Sequence, residues 1–145
     1  MNVPRTALVA LVLAVFGRAV THPFIAFDDT EHILRNPLVT APSGSLAQLL
    51  TPNVGYIVPV SVNVEAGLWA LSAGAPWSFH AAGVVLHALC VWLVAVLCER
   101  LGATRWAAVA AAAVFALHPV VVEPVAWATG VKDGLAAALA LGATL

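Results

Sequence analysis

Charge is scarce in this chain of 145 residues, because Asp, Glu, Lys and Arg together make up 9% of it. Soluble domains carry about 25% charged and about 45–50% apolar residues, whereas 62% of this chain is hydrophobic. Such a composition cannot cover a water-facing surface and therefore predicts a membrane protein. The six Lys and Arg residues are scattered singly at a net charge of −1, so the chain lacks the basic patch that binding nucleic acid requires.

Cysteine is also rare, and the two residues, Cys90 and Cys98, lie in one apolar run. On a helix, their backbones would be about 12 Å apart, beyond the roughly 7 Å that a disulfide can bridge. We therefore expect both cysteines to be packing residues.

Long apolar stretches dominate the rest of the sequence. They predict an all-α polytopic membrane protein with three full transmembrane helices and the start of a fourth, near residues 6–21, 78–98, 104–117 and 132–145. The first stretch could alternatively be a signal peptide, although its cleavage site would be poor. Residues 22–77 hold six of the nine prolines and should form a long outer loop with short interfacial helices, one near residues 60–71 that carries Glu65.

The positions of three arginines predict the orientation in the membrane. Arg5, Arg100 and Arg105 fall on the side opposite the long loop, and short cytoplasmic loops attract Lys and Arg. The N-terminus should therefore be cytoplasmic, and residues 22–77 and 118–131 should share the outer face. The richness in Ala, Val and Gly suits a bacterial inner membrane.

A pair of adjacent acids, Asp28 and Asp29, lies in the outer loop. Charges at a membrane edge are costly and tend to remain where they bind or react. Two like charges side by side should raise one pKa towards that of a general base; alternatively, Asp29 caps a short helix. On such a helix Asp28, His32 and Arg35 would share a face, and Arg35 could bind a phosphate or form a surface ion pair.

A second polar cluster follows the third apolar stretch, where Pro119 and Pro124 prevent a continuous helix around His118 and Glu123. Irregular backbone at membrane depth usually lines a cavity. His118 and Glu123 could bind a substrate or form a satisfied interfacial pair. One histidine and one carboxylate are a weak metal signal, which leaves a divalent metal open as a cofactor.

Two further groups complete the set of polar candidates. Lys132 and Asp133 begin the fourth apolar stretch, either as a helix-start pair or with Lys132 facing an anionic head group. His87, within the second stretch, should hydrogen-bond between helices rather than bind a metal.

The order and spacing of these motifs resemble one family, the transmembrane and tetratricopeptide-repeat mannosyltransferases and their bacterial relatives, in the GT-C superfamily. The resemblance covers residues 5–145. The motifs that carry it are Phe27-Asp28-Asp29, Ile33-Leu34-Arg35-Asn36-Pro37-Leu38-Val39, residues 56–71, Phe79-His80, Leu86-His87-Ala88-Leu89, Phe115-Ala116-Leu117-His118-Pro119, Val122-Glu123, Val125-Ala126-Trp127 and Lys132-Asp133.

The resemblance implies a polytopic glycosyltransferase that moves a sugar, mannose-like in this family, from a polyprenyl- or dolichyl-phosphate donor to a protein Ser or Thr hydroxyl on the outer face. Asp28 would be the base in a one-step inverting displacement, supported by Asp29, and Lys132 or Arg35 would compensate the leaving phosphate. The residues that would bind substrate are Arg35, His118, Glu123, Lys132 and Asp133. The chain would be an N-terminal fragment, inactive alone, without the further spans and repeats of the family.

Three polar positions of the family pattern differ here: Val121 replaces a histidine, Val131 replaces an arginine, and Tyr56-Ile57-Val58-Pro59 lacks the arginine of Tyr-Arg-Pro. An alternative function is therefore a non-enzymatic membrane assembly or interaction protein, in which the acids cap helices. A cation-coupled transporter fits less well, because its acids would lie in mid-span.

Overall fold

The computed structural model describes residues 3–45, 50–53 and 55–145 of the chain, and these residues are helical without strands. The seven α-helices are α1 Val3–Phe16, α2 Pro37–Thr40, α3 Pro59–Ser72, α4 Trp77–Arg100, α5 Arg105–Leu117, α6 Val122–Ala126 and α7 Val131–Ala143. Short 3₁₀ turns follow α1 and flank α6, and a π-helical turn, Thr30–Leu34, precedes α2. The all-α class expected from composition is confirmed within these residues.

Helix α4 is the centre of the bundle, with α1, α5 and α7 packed around it. Three alanines on α5, Ala108, Ala112 and Ala116, are fully buried at a spacing of four residues. Small side chains at this spacing let two helix backbones approach closely, which is the usual packing mode of helices in membranes. The larger side chains of this core come from α1, α4 and the segment between α5 and α7, and they are Leu8, Val12, Phe16, Val84, Val91, Val121 and Val125.

Helix α4 is the one helix in the described ranges that is by itself long and apolar enough to cross a membrane. Helix α5 and the segment Pro119–Ala126 meet that criterion only together, as a pair bent by 53°. Helix α1 has 14 residues before it tightens into a 3₁₀ turn, and α7 has 13. The expectation of three complete spans is therefore not confirmed, although the second of them is supported by α4.

The two ends of the bundle differ in character. At one end, Arg5 at the start of α1 forms an ion pair with Glu99 at the end of α4. At the other end, the outer loop packs on the beginnings of α4 and α7 through a second core. That core contains Ile33, Val39, Phe79, Ala128 and Val131. The loop and the segment between α5 and α7 therefore meet at the same end of the bundle.

The irregular segment between α5 and α7 fits tightly against α4. A Cβ atom on Gly83 of α4 would lie 2.9 Å from the carbonyl oxygen of Val125, and one on Gly130 would overlap the carbonyl oxygen of Pro124. Pro119 begins a 3₁₀ turn after His118, whose Nδ1 accepts a hydrogen bond from the Val120 amide at 3.2 Å. The prolines thus interrupt the helix, and the close backbone contacts at Gly83 and Gly130 fix the conformation of this segment.

Candidate functional site

Asp29 fixes the outer loop to the segment before α7. Its carboxylate is 1% exposed. One oxygen accepts a hydrogen bond from the Thr129 amide at 3.1 Å and the other from the Ile25 amide at 2.8 Å. Asp29 makes no cap bond to the turn that follows it, so the alternative in which Asp29 caps this turn is wrong. The reason is that the buried amide of Thr129, 100 residues away, donates its hydrogen bond to a carboxylate oxygen that a cap bond would otherwise use.

An aromatic contact adds to this junction. The rings of Phe27 and Trp127 meet edge to face, with centroids 6.2 Å apart. Such pairs contribute about 0.5–1.5 kcal/mol beyond their buried area. Asp28 lies between Phe27 and Asp29 in sequence, so both of its neighbours are held against the segment before α7.

Asp28 lines an outer cavity of about 360 Å³ together with residues from the other end of the chain. Its partners are the second polar cluster and the glycine-containing turn before α7. They are Glu123, Pro124, Trp127, Thr129, Gly130, Lys132 and Asp133. The structure thus brings four of the seven candidate site residues into one cavity. Asp29 connects the two chain segments that form this cavity.

Lys132 is half-buried at the start of α7. Two ion pairs occur in the described residues, Arg5 with Glu99 and Arg35 with Glu31, and neither involves this lysine. The helix N-terminus adds partial positive charge to that of the ammonium group. The cavity therefore offers a cation and three carboxylates, those of Asp28, Glu123 and Asp133.

Arg35 and His118 lie elsewhere. Arg35 forms an exposed ion pair with Glu31 at 3.1 Å and lines a separate surface cavity of about 270 Å³ with Asn36 and Pro37. This i, i+4 contact is the surface ion pair that the sequence offered as the alternative role of Arg35. His118 is exposed, and its ring accepts the local hydrogen bond from the Val120 amide.

His87 makes the interhelical hydrogen bond that its position predicts. Its Nε2 lies 3.1 Å from the carbonyl oxygen of Ala116 on α5, and its ring contacts Phe16 and Phe115. The cysteines are unpaired, as expected. His80, also on α4, is fully buried next to His22, with ring centroids 6.1 Å apart.

Glu65 is a functional candidate to which the sequence alone assigned no role. It lies on the inner face of α3, 1% exposed, and its Oε2 has no hydrogen-bond partner in the described part of the chain. Burial raises its pKa to about 7, with a smaller contribution in the same direction from Asp29 and an opposing one from Lys132. The available signal was an acid between Val62 and Ala66, on a face that carries no other charged residue.

His32 is a second titratable group beside the cavity. Burial and the charge of Lys132 lower its pKa, while Asp28, Asp29 and Glu31 oppose the change. Among the described residues, no group of three or more His, Cys, Asp and Glu side chains has the geometry of a metal site.

These features define a chain that is helical in its described residues, with one helix long and apolar enough to cross a membrane and a carboxylate- and lysine-lined cavity at one end of its bundle. The chain is similar to two protein O-mannosyl-transferases of Drosophila melanogaster. It is 43% identical to Tmtc2 over 120 residues, which are 74% of this chain and 13% of Tmtc2. It is 31% identical to Tmtc1 over 136 residues, 86% of this chain and 16% of Tmtc1.

The chain therefore spans about one seventh of the length of these relatives. Neither a family model nor a solved structure matches it. The two similarities support the mannosyltransferase resemblance at low identity.

Proposed function

We propose that this chain is the N-terminal part of an integral membrane glycosyltransferase of the GT-C type. The reaction would transfer a mannose-like sugar from a polyprenyl-phosphate donor to a Ser or Thr hydroxyl of a protein on the outer face. The observation that supports it best is the cavity in which Asp28 meets Glu123, Lys132 and Asp133. These residues are about 100 positions apart in sequence, and the match to O-mannosyl-transferases covers most of the chain.

Asp28 is the better of the two acids for the role of base. Asp29 is buried and uses both oxygens to accept backbone hydrogen bonds, whereas Asp28 is partly exposed and lines the cavity. A general base must reach the proton that it removes. Asp28 can approach an acceptor hydroxyl from the cavity, and Asp29 holds it in position.

The proposed step is a single displacement with inversion. Asp28 takes the proton of the acceptor hydroxyl as its oxygen attacks the anomeric carbon, and the bond from that carbon to the phosphate oxygen breaks. The leaving group is polyprenyl phosphate, which gains negative charge. Lys132 and the N-terminus of α7 would stabilise that charge. Because Val131 replaces the family's arginine, stabilisation of the leaving phosphate depends more strongly on Lys132 in this chain.

The neighbouring apolar cavity supports a lipid-linked donor. It has a volume of about 300 Å³, shares Pro124 and Asp133 with the outer cavity, and is otherwise lined mainly by apolar residues of α4, α5, α7 and the segment between α5 and α7. An isoprenoid chain requires such a surface next to the site of its phosphate. The adjacency suits a donor with a polar head and an apolar tail.

The proposed setting is a bacterial inner membrane with a cytoplasmic N-terminus. The Arg5–Glu99 ion pair supports this orientation, because it places the N-terminus and the arginine-containing turn after α4 at the end opposite the cavity. Short loops rich in Lys and Arg remain on the cytoplasmic side.

A sugar-transfer assay tests the function. Membranes that contain the complete gene product should transfer sugar, and Asp28→Asn should lower the rate by about 10²–10⁴-fold, the usual contribution of a general base. Glu31→Gln is the matched control, because Glu31 is an exposed acid of the same loop whose partner is Arg35. Equal rates in wild type and Asp28→Asn would remove Asp28 from this role.

A non-enzymatic assembly protein is the second candidate, and the structural bridge made by Asp29 favours it. In that case no transfer would be found, and Asp28→Asn would leave assembly unchanged while Asp29→Ala disturbed it.

A further inference from the structure

We propose that Glu65 is a positioning residue for the outer cavity: it is the internal counter-charge of Lys132 and takes up a proton when an anionic ligand binds there. This inference rests on the proposed function, since it concerns the phosphate group of the donor. It assigns a role to a buried carboxyl group that lies behind the cavity rather than in its lining.

The position of Glu65 lets the charge of the cavity act on its carboxyl group. Helix α3 packs against α7, whose first turn presents Lys132 to the cavity. Glu65 is 1% exposed and its Oε2 lacks a hydrogen-bond partner among the described residues. A buried carboxylate without hydrogen bonds is costly unless an opposite charge is near. Within the described ranges, Lys132 is the one cation whose charge acts on it.

The charged groups around Glu65 come from several elements. Helix α7 contributes Lys132, and the outer loop contributes Asp29. Helix α2 has no titratable residue. Helix α4, which also packs on α3, carries His80, whose electrostatic neighbours are Asp29 and His22.

An anion in the cavity changes this balance. Its negative charge offsets that of Lys132 and so removes the attraction that favours ionised Glu65. Because the pKa of Glu65 is already about 7 through burial, the bound anion raises it further, and Glu65 becomes neutral. By linkage, neutral Glu65 must strengthen anion binding by the same factor. Ligand affinity should therefore be high below pH 7 and fall as the pH rises through it.

The first test measures binding of a short-chain isoprenyl phosphomannose to the complete gene product in detergent. This phosphodiester keeps one negative charge throughout, so the ligand itself does not titrate. Wild-type affinity should fall about tenfold between pH 6 and pH 9 if the ligand shifts the pKa of Glu65 by one unit. Glu65→Gln should hold the high affinity at every pH, because a glutamine stays neutral. A decline in the variant equal to that in wild type would overturn the proposal.

Two controls separate other sources of pH dependence. His32→Asn should keep the wild-type decline, because burial and the charge of Lys132 lower the pKa of His32, away from that of Glu65. Glu65→Asp should restore a decline, since it returns an ionisable group to the site. Loss of the decline in His32→Asn would assign the effect to His32 and contradict the proposal.

A second measurement requires no variant and so does not depend on folding of Glu65→Gln. Calorimetry of wild type in buffers of different ionisation enthalpy counts the protons taken up on binding. At pH 7 a group with a pKa of about 7 is half protonated, so uptake should approach half a proton per ligand. Binding without proton uptake would refute the role of Glu65 and leave the proposed function intact. Absence of binding at every pH would refute both.

Discussion

The carboxylate of Asp29 accepts a hydrogen bond from the backbone amide of Thr129 at 3.1 Å, across 100 residues of sequence. This contact brings the outer loop to the segment before α7. The cavity that contains Asp28 and Lys132 lies at this junction. The shape of the cavity should therefore depend on Asp29, although Asp29 itself need not contact a substrate.

Replacing Asp29 should loosen the junction. In Asp29→Ala the amide of buried Thr129 loses its acceptor, at a cost of about 1–3 kcal/mol. We expect a lower unfolding temperature in detergent and faster hydrogen exchange at Thr129. Glu31→Gln, which removes an exposed ion pair worth about 0–1 kcal/mol, should change neither. Unaltered exchange at Thr129 in Asp29→Ala would show that the bond is not needed to hold the loop.

A methyl group at Gly130 should displace the turn before α7. The added Cβ would overlap the Pro124 carbonyl oxygen, so Gly130→Ala should destabilise the protein by about 1–3 kcal/mol, the usual cost of overpacking. Gly67→Ala on α3 is the matched control, because a Cβ atom added there would meet nothing within 4 Å. It should be neutral or stabilise α3 by up to about 1 kcal/mol. Thermal unfolding of the two variants in the same detergent distinguishes these effects.

The hydrogen bond from His87 to Ala116 should contribute modestly to stability. Interhelical hydrogen bonds in membrane proteins average about 0.6 kcal/mol, with a maximum near 1.7. His87→Leu keeps an apolar side chain between Phe16 and Phe115 while removing the bond. We expect destabilisation in that range, measured by unfolding in mixed micelles. A more stable His87→Leu protein would contradict a favourable hydrogen bond at this position.

Lys132 and Arg35 should differ in their effect on donor use. Lys132→Ala removes the cation of the cavity and should raise KM for the donor by about 10–100-fold, the loss of one charge-assisted hydrogen bond. Arg35→Ala should leave KM unchanged, because Arg35 is exposed and pairs with Glu31. Transfer kinetics at varied donor concentration make the comparison. Equal increases in KM would mean that Arg35 also reaches the donor.

The pH dependence of stability should reflect Glu65. Its pKa is raised from 4.5 in the unfolded chain to about 7 in the folded protein, so the folded state binds the proton more tightly. Stability is full below about pH 4.5, declines as the pH rises, and is lowest above pH 7. The whole decline amounts to about 3 kcal/mol. Glu65→Gln should remove this contribution to the decline between about pH 4.5 and pH 7, measured by thermal unfolding.

The polar sequence motifs singled out four residues that line one cavity, but they could not separate these residues from others that lie elsewhere. Asp28, Glu123, Lys132 and Asp133 stand out because they are charges in an apolar chain, and they do line one cavity. Arg35 stands out equally, yet it turns to Glu31. An i, i+4 partner is always within reach on a helical turn, so sequence spacing cannot decide between a ligand and a neighbour.

Composition determined the helical class and the apolar character of this protein, because 62% hydrophobic residues with 9% charge leave few other ways to satisfy the backbone. The prolines around α6 determined where the helices break. Only the tertiary structure decided that Asp29 binds the Thr129 amide instead of capping its own helix, and that Glu65 is buried beside Lys132. The physical reason is that hydrogen bonds and charge effects between distant segments depend on distances that only packing sets.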